Sequence, residues 1–227
     1  MFRRELFELF DEGTKQTKDH VSNWNDALDY DLHAIPDHLI LERMMSWATQ
    51  NKFDRIAKVL EIKAVIYRNA YFHSDDCDVN VIAQSSVDLF SACLFYIKIG
   101  QKQYAMQMMK SHMLLAEAEF LRTQALTNRA EWTQILWNEY KSLFHAIESP
   151  ETGIELLDQC QQQTTLYDAH EITESTNIVW EYYHRMISFT VYHLTQHWES
   201  LHATYEERLP LKVALLRFIH KQIVERL

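Results

Sequence analysis

The 227-residue sequence predicts an all-α fold, and three features carry that prediction. Apolar residues make up 47% of the chain, enough to build a core, whereas disordered chains lack such residues. Only three glycines and three prolines occur, so the turn chemistry that a sandwich or barrel needs every ~8–12 residues is missing. The scarcity of glycine also excludes a parallel α/β enzyme with glycine-rich phosphate loops. What remains is one helical domain over residues 1–227, in three parts. They are N-terminal helices in 1–36, three helical hairpins in 37–165, and a long helix with a C-terminal capping helix in 166–227.

Start and stop signals divide the chain into roughly ten helices. Gly13 closes a short first helix, and a second runs from Lys18 to Leu32. Pro36-Asp37 opens a third, which the Gln50-Asn51-Lys52 break separates from a fourth reaching Tyr71. The polar stretch from His73 to Asp78 follows, with Asp78 placed to cap the next helix. That helix ends at Gly100, a residue suited to the left-handed conformation of a C-terminal cap. Asn128 with Glu131, and Asp168 with Glu171, form capping-box patterns. Ser149-Pro150 is an N-cap followed by proline at the first helical position, and Pro210 repeats that role for the last helix.

Asn51, Gly100 and Ser149 lie 49 residues apart, twice in succession. Evenly spaced helix–turn–helix units predict antiparallel hairpins stacked as a short α-solenoid, because each hairpin buries its apolar face against the next. An irregular helical bundle is the alternative. The stretch from Cys93 to Ala105 resembles the centre of a tetratricopeptide repeat. Small Cys93, aromatic Tyr96, turn Gly100 and helix-contact Ala105 match that family's spacing, whereas Lys102 stands where an aromatic residue is usual. The first unit keeps Trp47 and Phe53 but has Asn51 and Ile56 for glycine and alanine, and the third has His145, Ser149 and Ile154. The resemblance implies helical hairpins. The 49-residue spacing exceeds the family's period of about 34.

The formal net charge is −10, and it is uneven. Residues 1–50 carry five basic and ten acidic groups, residues 151–200 carry eight acids against Arg185 alone, and the last 27 residues are net basic. Such a field repels phosphate backbones, which argues against direct nucleic-acid binding. Three cysteines, at 77, 93 and 160, form no CxxC pair, so neither a disulfide framework nor a structural zinc site is expected. Acids interrupt the N-terminal apolar residues where a signal peptide needs continuity, and no run reaches the ~18 apolar residues of a membrane span. A cytoplasmic location is expected.

Residues 171–205 contain no glycine or proline and predict one long helix. Trp180, His184, Ile187, Val191, Leu194, Trp198, Leu201 and Tyr205 alternate steps of four and three, a heptad seam. The seam packs internally or, as the second option, forms a homodimer through 180–205. The same segment holds Glu181-x-x-His184 and Glu199-x-x-His202, the pairs that di-iron bundles use from facing helices. On one helix they stand about 27 Å apart, too far to share a metal. His193 and His197 share a helical face, but two ligands do not make a zinc site. Asp75, Asp76 and Asp78 belong to an inter-helix loop, and Glu171 and Glu174 to a helix first turn favoured by the dipole. Met106, Met108, Met109 and Met113 read in part as core filler and in part as an adaptable surface. The last helix sets Leu211, Leu215, Phe218, Ile219 and Ile223 against Lys212, Arg217, Lys221 and Arg226, the pattern of a cap over the array end.

No local nucleophile, metal or cofactor motif emerges, so the sequence points to a non-enzymatic adaptor or regulatory module that binds another protein or a peptide. The expected groove lies on the first helix of each hairpin, around Trp47, Tyr96, Trp137 and Tyr140. The alternative is a metal- or small-ligand-binding helical bundle using His184, His193, His197 and His202.

Overall fold

The computed structural model describes residues 37–73, 79–124, 138, 141–164, 181–182, 185–196, 213–214 and 216–225. These residues are helical apart from short turns, so the fold is all-α. Helix α1 spans Asp37–Thr49, α2 Phe53–His73, α3 Val79–Lys98 and α4 Lys102–Gln124. Helix α5 covers 141–148, α6 Pro150–Thr164 and α7 185–195. A last helical turn at 216–219 widens into the π-helix His220–Val224.

The turns after α1 and α3 have the same construction, and local sequence explains both. Asn51 has φ 54° and Gly100 φ 81°, left-handed values that asparagine and glycine tolerate best. In each turn the next amide reaches back five residues: Lys52 N donates to the Trp47 carbonyl at 2.9 Å, and Gln101 N to that of Tyr96 at 2.8 Å. Asn51 N and Gly100 N donate three residues back, at 3.1 and 3.0 Å. This double closure is the Schellman motif, which satisfies the last helical carbonyls. The third turn needs no left-handed residue: Ser149 leads into α6 with Pro150 as its first residue. At that corner α5 and α6 approach closely. A Cβ added to Gly153 would stand 2.6 Å from the Ser142 carbonyl oxygen and 2.8 Å from the Ala146 Cβ.

Helix α3 is the centre of the molecule. Every residue from Ser85 to Ile97 is buried, so α3 has no solvent face over that span. Its broadest contact is with α2, where small residues let the backbones come together: the Ser85 hydroxyl donates to the Ala64 carbonyl at 2.6 Å. Helix α4 packs on α3 through Ala105 and Met109, and Met106, Met108 and Met113 are partly buried against the same core. The methionines thus act chiefly as filler.

Later segments return to this centre. Phe95 of α3 meets Phe53 of α2 at 5.7 Å and Phe189 of α7 at 6.3 Å between ring centroids. Ile187, Val191 and Leu194, three positions of the heptad seam, are buried in the chain's own core. Leu216, Ile219, Ile223 and Val224 put the apolar face of the last helix into the same core, against α3. Arg217 lies 3.8 Å from Glu151, at the edge of the acidic region. A solenoid unit touches only its neighbours, whereas here α7 and the last helix reach back to the second hairpin.

One element departs from expectation. The helix expected to run unbroken through 205 stops at Thr195, because Gln196 takes φ 61°. The Thr195 hydroxyl donates to the Val191 carbonyl at 2.7 Å, and the Gln196 side-chain amide to that of His193 at 3.4 Å. These side chains close the helix end without glycine or proline.

The expected N-terminal helices of 1–36, the loop with Asp75, Asp76 and Asp78, and the capping boxes at 128–131 and 168–171 lie outside the described residues. Among the described residues no helix is long and apolar enough to cross a membrane.

Candidate functional site

The most distinctive chemistry sits between α2, α3 and the helical residues 181–182 that precede α7. Lys63 follows Ile56 and Leu60 in the buried register of α2, which draws its ammonium into the core at 6% exposure. Its Nζ lies 3.3 Å from Asp88 Oδ2 and donates to Tyr182 Oη at 2.5 Å. The Tyr182 hydroxyl in turn donates to Asp88 Oδ1. Asp88 is fully buried, so the ammonium and the carboxylate neutralise one another where a lone charge would be costly. The Tyr67 and Tyr182 rings flank the ammonium at 5.2 and 4.8 Å.

An open cleft of about 90 Å3 leads down to this network. Ile40, Leu41, Met44, Leu60 and Met186 form its apolar walls, and Lys63, Tyr182 and Arg185 its polar side. Arg185 is exposed and lies over the Tyr182 ring, 5.5 Å from its centroid. Glu181 stands one helical turn earlier, yet Arg185 makes no ion pair with it or with any other described acid. The cleft therefore combines room for one aliphatic group with an uncompensated cation at its rim.

A second polar group joins α2, α3 and α4. Glu61 accepts the hydroxyls of Tyr96 at 2.7 Å and Tyr104 at 2.8 Å, with Lys58 at 3.4 Å. Burial, then the adjoining Glu61 carboxylate, push the Tyr104 hydroxyl up to about 12, and the same causes raise Tyr96. Burial, then Glu61, also raise the Cys93 thiol, whose Sγ donates to the Ala105 carbonyl at 3.5 Å. Such a cysteine is a protonated core residue with no nucleophilic character. In the third group, Arg68 donates to His112 Nδ1 at 3.2 Å. That bond places the imidazole proton on Nε2, where it is buried without a partner. Burial, reinforced by the Arg68 charge, holds His112 down to about 3.

Of the four expected groove residues, Trp47 is 4% exposed and Tyr96 6%, so both contribute to the core. Trp137 and Tyr140 lie outside the described residues. The cleft opens one turn before Trp47, at Met44. His193 packs against Phe189 at 4.5 Å and Tyr192 at 5.1 Å, and burial lowers its proton affinity. His184, His197 and His202 lie outside the described residues. Among the described residues no three histidines, cysteines or acids converge as a metal site would require.

Sequence reasoning passed over Lys63, Asp88 and Tyr182, and marked Arg185 only as the lone base of an acidic segment. The signal was present for one of them: Asp88 is the only charged residue between Val79 and Ile97. A lone acid inside an apolar helix demands a buried cation, although the sequence does not say which.

No family model, no curated protein and no solved structure matches the chain.

Proposed function

We propose that this chain is a non-catalytic binding module of the cytoplasm, an adaptor that seats a segment of another protein in the cleft between α1, α2 and α7. The observation carrying this reading is the cleft itself, which is apolar-walled, open to solvent and rooted in a buried ion-pair network. Seating one aliphatic side chain there is worth roughly 1.5–3 kcal/mol, the yield of a single anchor in a larger contact. Helix α1 packs on α2, and α2 packs along buried α3, so the walls are tied to the core and binding costs little ordering. The tetratricopeptide-like hairpin around Cys93, Tyr96, Gly100 and Ala105 supports the same class of function, with the anchor displaced from the aromatic positions toward Met44.

Site-specific crosslinking tests this reading. Benzoylphenylalanine in place of Leu41, on the cleft wall, is expected to yield a covalent adduct with one protein in lysate of the source cells. The same residue in place of exposed Gln103 on α4 supplies the background. An adduct pattern at 41 indistinguishable from that at 103 overturns the proposal.

A further inference from the structure

We infer that the cleft selects an acidic–aliphatic segment of its partner protein, with Arg185 as the residue that reads the carboxylate. This rests on the binding role proposed above and adds its specificity. The argument is one of charge balance within a small volume. Among the described residues no acid lies on the cleft wall. Of the two cations there, Lys63 is already matched by Asp88 at 3.3 Å and sealed in the core. Arg185 is different: it is exposed, it carries no ion pair among the described residues, and it lies over the Tyr182 ring beside the opening.

A guanidinium held over an aromatic ring, here 5.5 Å from its centroid, still has N–H donors to offer, which suits a carboxylate accepting two hydrogen bonds. Arg185 is also the only basic residue between 151 and 200, within a segment carrying eight acids. Exposed Glu181, one turn before Arg185, repels a partner's acid, so a carboxylate is accepted only where it meets Arg185 itself. That combination gives specificity through repulsion elsewhere as well as attraction at one point. The apolar walls set the second requirement. A small apolar-walled cleft of about 90 Å3 suits an aliphatic side chain such as leucine, isoleucine or methionine. The aliphatic residue and the acid must lie close enough in the partner to reach floor and rim together.

The probe is a phage-displayed library of random twelve-residue peptides, selected against the full chain and against its Arg185→Glu variant. Arg185 is exposed, so reversing its charge leaves the core untouched; Arg185→Gln is selected in parallel as the charge-neutral control. The expected result is an aliphatic anchor enriched against all three proteins. Asp or Glu within four positions of that anchor is enriched against the wild type alone. Synthetic winners should bind Arg185→Glu roughly three- to tenfold more weakly, a difference that shrinks at 0.5 M salt. An aliphatic anchor with no acidic preference, or an acidic preference unchanged in Arg185→Glu and Arg185→Gln, overturns the role of Arg185 while leaving the cleft a binding site. Winners without an apolar anchor, or no enrichment against any of the three, overturn the binding role as well.

Discussion

Asp88 and Lys63 form a pair whose members each depend on the other. Asp88→Ala removes the carboxylate 3.3 Å from an ammonium that is only 6% exposed. Breaking a buried pair on one side costs on the order of 3–5 kcal/mol, whereas replacing both charges by apolar residues is often neutral. Urea midpoints should therefore fall sharply for Asp88→Ala and for Lys63→Met and recover in Lys63→Met/Asp88→Leu; additive losses in the double variant would contradict the pairing. His112 offers a second residue-level test through pH. Its folded proton affinity lies at about 3, below the ordinary value of 6.5, so the unfolded chain binds a proton that the native state refuses. Its neutral form supports the fold fully above 6.5, and that support is lost as pH falls from 6.5 toward 3. The slope approaches roughly 1.4 kcal/mol per pH unit. Stability measured between pH 7 and 4.5 should decline less steeply in His112→Gln than in the wild type. Equal slopes would place the proton elsewhere.

At the scale of elements, the turns were legible and the break in the last long helix was not. Asn51, Gly100 and Ser149-Pro150 carry their conformations in their own chemistry, so the sequence marks those corners residue by residue. Gln196 takes a comparable left-handed φ without any such preference, through bonds that Thr195 and its own amide make back into α7. Composition could not disclose that end. The cleft was illegible for a related reason: Lys63, Asp88 and Tyr182 come from three distant stretches of the chain and meet only because α2 and the helical residues 181–182 both pack on α3. The difference between the turns can be measured. Gly100→Ala should cost about 1 kcal/mol, because a Cβ at φ 81° is strained even though nothing crowds it. Asn51→Gly should be neutral or slightly stabilising in the same denaturation assay. Gly153→Ala belongs to a different class, since its Cβ would meet backbone at 2.6 Å; overpacking there should cost roughly 1–3 kcal/mol.

At the scale of the whole molecule, the question is what closes the hydrophobic core. A helix buried on all sides needs cover from every direction, and α2 and α4 supply only part of it. Ile187, Val191 and Leu194 of α7, with Leu216, Ile219 and Ile223 of the last helix, supply more from distant parts of the chain. The heptad register read from the sequence is therefore occupied at these positions by the chain's own core and is not free for a second copy. Closure from a distance also ties the second hairpin to later segments of the chain, whereas the units of a repeat array add nearly independently. Leu194→Asp tests both points at once, because it places a carboxylate at a position 7% exposed. The cost should exceed about 4 kcal/mol, a large part of the stability of a domain of this size. The helical circular dichroism of the whole chain should then collapse in one transition, and sedimentation should show no folded species at any concentration. A variant that stays fully helical and sediments at half the wild-type mass would instead assign the seam to a subunit interface.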